Sequence, residues 1–169
     1  MLSRIRDNGP ILLIPAAWTT VGAAHVNLVS EQSIFIAHLV MATFIAFFAV
    51  TGWQLMNEGA LRVWRAVLVA GLGLTLAGIA GFLVSTGETV LLAVSLGGWM
   101  LLPAAGLAYT GREIPAARTV YVGSAILCLL GAAIYGLAVG VLETTIGALA
   151  GIALVAVGQT AGIVDASRR

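Results

Sequence analysis

Residues 34–56 read IFIAHLVMATFIAFFAVTGWQLM, 23 residues without an Asp, Glu, Lys or Arg. As a helix rising 1.5 Å per residue, such a stretch is about 34 Å long, enough to cross the roughly 30 Å hydrocarbon core of a bilayer. Glu31 stands before it and Arg62 after it. Working outward, five further apolar runs of comparable length fall at about 10–29, 61–85, 89–110, 117–140 and 144–164. The chain is 60% hydrophobic and 9% charged over 169 residues, against roughly 25% charge in a soluble domain. The connections are too short to hold a separate folded unit. The expected fold is therefore all-α: residues 1–169 form a single transmembrane domain, a polytopic bundle of six transmembrane helices.

Charge orients this bundle. All eight basic residues are arginines. Arg4 and Arg6 precede the first run, Arg62 and Arg65 follow the second, Arg112 and Arg118 follow the fourth, and Arg168 and Arg169 follow the sixth. The other three connections hold Glu31, Glu88 and Glu143 and no basic residue. Basic residues concentrate on the cytoplasmic side of membrane proteins. The pattern places both termini in the cytoplasm of a plasma-membrane protein, with the three glutamates outside. The first run is longer than a signal-peptide core and lacks a small-x-small cleavage site, so it reads as a retained helix. Trp53, Trp64, Tyr109 and Tyr121 fall near inner helix ends and read as an interfacial belt.

The chain also resembles itself. A shift of 55 residues takes Gly81 to Gly136 and Glu88 to Glu143, and a shift of 57 takes Glu31 to Glu88. Three repeated helical hairpins would produce this; so would the ease with which apolar sequence aligns with itself. Either way the glutamates are expected at helix N-termini, where carboxylates meet free N–H groups and the positive dipole end. A ring of outer carboxylates that attracts cations is the functional alternative. Gly147, Gly151, Gly158 and Gly162, with Gly136 and Gly140, have the small-xxx-small spacing that lets helix backbones approach. They predict close contact between the last two helices. Pro103 should kink or weaken the fourth by removing a donor.

Function is less legible. His25 and His38 are the only histidines, and they fall at similar depth on consecutive helices, roughly 9–11 Å below the outer turn. Ionisable groups inside a membrane are costly and face the bundle interior. Three uses compete: a structural bond to a backbone carbonyl or a neighbouring hydroxyl, ligation of a transition metal or haem with Glu31 as a further ligand, and a proton or ion relay. Tyr135 should reach the same outer region. Trp18 and Trp99 lie near mid-membrane and read as core packing. Arg62 and Arg65 face the inner lipid headgroups, with Glu58 as an i,i+4 partner for Arg62. Cys128 is the only cysteine and makes no internal disulfide. No enzyme motif is present, and a formal charge of +1 with no basic run gives no nucleic-acid footprint. The leading expectation is a non-catalytic binding or accessory protein, with His25 and His38 holding a metal or haem near the outer face. The alternatives are a small cation or solute transporter or channel, and a structural subunit of a membrane complex. Lipid, a membrane-protein partner or a second copy are the expected partners.

Overall fold

The computed structural model describes residues 2–169, with side chains described for Gly9 and from Ile11 onward. The side chains of Arg4 and Arg6 lie outside the described residues. Six α-helices follow one another: α1 Leu2–His25, α2 Glu31–Gly52, α3 Gly59–Leu83, α4 Glu88–Glu113, α5 Arg118–Gly140 and α6 Thr145–Ser167, with one 3-10 turn, Pro115–Ala117, before α5. No strand occurs among the described residues. Five helices, α2 to α6, are long and apolar enough to cross a membrane; α1 contributes the shorter apolar stretch Ile11–His25. Large apolar side chains such as Val50, Leu129, Leu130, Val139 and Ile146 point away from the protein. A soluble domain rarely exposes so continuous an apolar surface. The chain is an integral membrane protein.

The local chemistry explains where the helices stop. The first was expected to run to about residue 29 but ends at His25. Asn27 takes a left-handed conformation (φ 57°), Leu28 N donates to Ala23 O at 2.9 Å and Asn27 N to Ala24 O at 3.1 Å. This is the paired bonding of a Schellman stop, which favours Gly or Asn at the left-handed position. The second helix starts earlier than residue 34 because the Ser30 hydroxyl caps it, accepting from Ser33 N at 3.2 Å. Glu31 and Glu88 are the first residues of α2 and α4, as expected of carboxylates at positive dipole ends. Glu143 departs from that expectation: it lies before α6 in a left-handed conformation (φ 49°), outside the first turn.

The helix starts also correct the repeat. Helices α2, α4 and α6 begin at Glu31, Glu88 and Thr145, 57 residues apart in both steps, and α3 and α5 end at Leu83 and Gly140, again 57 apart. On this period Glu88 meets Thr145 rather than Glu143. The 55-residue alignment paired residues of different conformation.

Each helix packs on its neighbours in sequence, α1 also closes onto α6, and α4 touches α6 across the middle; among helices consecutive in the chain the α1–α2 seam is the lightest. The buried core draws Trp18 from α1, Met100 and Leu107 from α4, Tyr121 and Cys128 from α5, and Ile152 and Val155 from α6. Helices α5 and α6 are in close contact, as expected, but through a different α5 glycine. A Cβ on Gly151 would stand 2.6 Å from the Gly131 carbonyl oxygen, and one on Gly158 2.6 Å from the Ser124 oxygen. Gly136 and Gly140 face outward with nothing within 4 Å.

Polar side chains brace the interior. Trp18 Nε1 donates to Gln159 Oε1 (3.0 Å), and Gln159 Nε2 donates to the Trp99 carbonyl (2.9 Å). That carbonyl would ordinarily bond the amide four residues on, which is Pro103 and has no N–H. Gln159 supplies the missing donor, and α4 continues through Pro103 to Glu113. Trp99 Nε1 donates to Thr75 Oγ1 (3.0 Å), which donates to Gly71 O (2.9 Å). The same unit recurs in reverse on the α3–α4 pair: Trp64 Nε1 donates to Thr110 Oγ1 (3.0 Å), which donates to Gly106 O (2.8 Å). Both helices read Trp-x6-Gly-x3-Thr, Trp64–Gly71–Thr75 and Trp99–Gly106–Thr110. In this antiparallel pair each indole lies over the other helix's glycine and reaches its threonine. Trp64 is therefore a packing residue more than a belt residue. Tyr121, only 2% exposed, is a core residue, while Trp53 and Tyr109 remain exposed near the C-terminal ends of α2 and α4.

Candidate functional site

The two histidines are held alike but do different things. His25 Nδ1 lies 2.9 Å from Val21 O. A carbonyl only accepts, so Nδ1 carries the hydrogen. In the neutral ring Nε2 then presents a lone pair, and the Tyr135 hydroxyl, 2.9 Å away, donates to it. The rings meet edge to face at 5.4 Å. Both nitrogens of His25 are engaged, and the result is a polar tie from α1 to α5. The expected reach of Tyr135 into the outer region is met, on His25 alone.

His38 Nδ1 lies 2.9 Å from Ile34 O and is likewise the protonated nitrogen. Its Nε2 lone pair points across α3. A Cβ on Gly78 would be 2.7 Å from His38 Nε2 and 2.7 Å from Ser95 Oγ, so the missing side chain of α3 leaves a notch where α2 and α4 approach one another. The imidazole also stands edge to face on Phe82 at 5.3 Å, and Phe82 on Phe35 at 5.9 Å. Above these rings an open cleft of about 350 Å³ lies between the N-terminal end of α2 and the C-terminal end of α3, lined by Glu31, Gln32, Phe35, Phe82 and Leu83.

The predicted site residues thus divide. Glu31 and His38 belong to the two ends of one face of α2, with Phe82 between. His25 belongs to the α1–α5 tie. Glu88 and Glu143 sit at the α3–α4 and α5–α6 turns and do not line the cleft. Among the described residues no three of His, Cys, Asp and Glu gather around one point, so His25, His38 and Glu31 form no joint ligand set. At the α2–α3 connection, Arg65 rather than Arg62 makes the local contacts: its guanidinium lies 4.8 Å over the Trp53 ring and donates to Asn57 Oδ1. Glu58 precedes α3 with extended backbone, so the helical i,i+4 spacing to Arg62 does not apply.

Sequence reasoning did not single out Phe82, Ser95 or Gly78 as a group. Their one signal was the depth they share with His38, which no linear pattern marks. Comparison with protein-family models, characterised proteins and solved structures finds no match to the chain.

Proposed function

We propose that the protein is a non-catalytic binding protein of the plasma membrane, with both termini in the cytoplasm, that takes a cation at its outer face against Glu31, in the cleft above His38. The observation that carries this reading is the cleft itself. It is an open cleft whose aromatic wall, Phe82, packs on a histidine of fixed tautomer, and its one charged lining residue is a carboxylate. No basic residue lies in any of the three outer connections. Holding is favoured over passage because the Trp18–Gln159–Trp99–Thr75 chain joins four helices in the interior.

Detergent-purified protein should bind a cation, measured by elemental analysis, a visible absorption spectrum and calorimetric titration with Zn2+ and with benzyltrimethylammonium. Glu31→Gln should weaken that binding about tenfold, or roughly 1.4 kcal/mol. Wild-type protein that carries no metal and takes up neither cation would remove the reading. Orientation has its own test. Cysteines at Ser30, Thr86 and Thr144 should react with an impermeant thiol reagent on intact cells, while one at Gln54 should react only after lysis. The reverse pattern would invert the bundle. Native Cys128 is fully buried and gives no background.

A further inference from the structure

The nature of the cation follows from the distances and from the walls of the cleft, given the cation-binding reading above. Glu31 and His38 are seven residues apart on α2, about 10 Å along its axis. A compact metal ion cannot touch both, and no third His, Cys, Asp or Glu among the described residues closes a coordination shell. A ligand several ångströms long can extend from one towards the other. Between them stand the half-buried rings of Phe35 and Phe82, and the lip is Leu83, 70% exposed. Aromatic faces attract ammonium groups without coordinating them, and the attraction grows as water is excluded. The volume of about 350 Å³ is at the small end of ligand pockets, roughly 300–1,000 Å³.

We infer that the α2–α3 outer cleft binds a small organic ammonium ion with an apolar body, its charge against Glu31 and its body against the rings of Phe35 and Phe82, above His38. A free organic cation fits better than the ammonium of a phospholipid headgroup. The headgroup brings a phosphate, and the outer connections contain no Lys or Arg to meet it. Gln32 adds a neutral polar group at the mouth, suited to an N–H donor or a hydroxyl on the ligand.

Calorimetric titration of detergent-purified full-length protein with benzyltrimethylammonium tests this, beside parallel titrations with Zn2+ and with a short-chain phosphatidylcholine. The ammonium ion should bind at one site per chain. Glu31→Gln should weaken it about tenfold and Phe82→Leu about threefold. Glu143→Gln removes the same charge from another outer turn and should leave binding unchanged. All three variants should melt near the wild-type temperature, since Glu31 and Glu143 are exposed and Phe82 only half buried. Zn2+ binding that depends on Glu31, with no uptake of the ammonium ion, would overturn the inference and leave the cation site standing. Uptake of neither would remove both. Equal losses from Glu31→Gln and Glu143→Gln would mean diffuse surface attraction and overturn the cleft. Competition by the phosphatidylcholine at equal concentration would overturn the free cation in favour of a lipid headgroup.

Discussion

Gly151→Ala lowers the stability of the bundle by about 3 kcal/mol, the upper end of the range for overpacking. The added methyl would lie 2.6 Å from Gly131 O, 2.7 Å from Tyr135 N and 2.8 Å from Tyr135 Cβ. Two of these are backbone atoms of α5, which cannot swing aside as a side chain does, so the helices must separate along their length. Separation would also disturb the hydrogen bond from Tyr135 to His25 and so loosen α1. Gly136→Ala and Gly140→Ala are the controls. Nothing lies within 4 Å of either new methyl, and helix propensity favours alanine by up to about 1 kcal/mol. Thermal unfolding in detergent, followed by a thiol-reactive dye, checks the comparison, because the only cysteine is Cys128, fully buried in the core. A Gly151→Ala protein that melts with the wild type would refute the close α5–α6 contact.

Gln159→Leu should cost about 2 kcal/mol, from two interior polar groups left without partners, the Trp18 N–H and the Trp99 carbonyl. The second of these exists only because of Pro103. In a Pro103→Ala background the alanine amide can bond Trp99 O within α4, so the same Gln159→Leu change should cost only about 1 kcal/mol. The double-mutant cycle cancels the cavity that Pro103→Ala opens and isolates the coupling. A cycle with no coupling would mean that Gln159 does not replace the donor that proline lacks. The linkage also explains how α4 runs on through Pro103. Within a bilayer a freed carbonyl has no water to turn to, and a neighbouring side chain satisfies it instead.

Much of the fold was legible along the chain. Segment count, approximate bounds and the side on which the arginines fall depend on how many consecutive residues are apolar and where charges interrupt them. Membrane insertion responds to those linear quantities. The site was legible only in part. The depths of His25 and His38 follow from counting residues, and the reach of Tyr135 to the outer half was visible in the same way. Which partner each histidine meets was not. The expected belt residue Tyr121 turned inward, and the glycines chosen on α5 turned outward, for one reason: both readings located a residue along its helix but left its rotation about the axis open.

Sequence by itself determined an all-helical chain of membrane-spanning segments, the tight turns at one end of the bundle that carry Glu31, Glu88 and Glu143, and the concentration of small residues on the last two helices. Only the tertiary structure decided that Gly131 meets Gly151, that Gln159 completes the hydrogen bonding Pro103 leaves open, that Trp64 and Trp99 reach each other's helices, and that His38 meets Phe82 while His25 joins Tyr135. The physical reason is that apolar sequence is degenerate in rotation. Lipid solvates every face of such a helix almost equally well, so hydrophobicity does not select the inward face. Close packing and polar satisfaction between helices select it, and both depend on residues far apart in the chain.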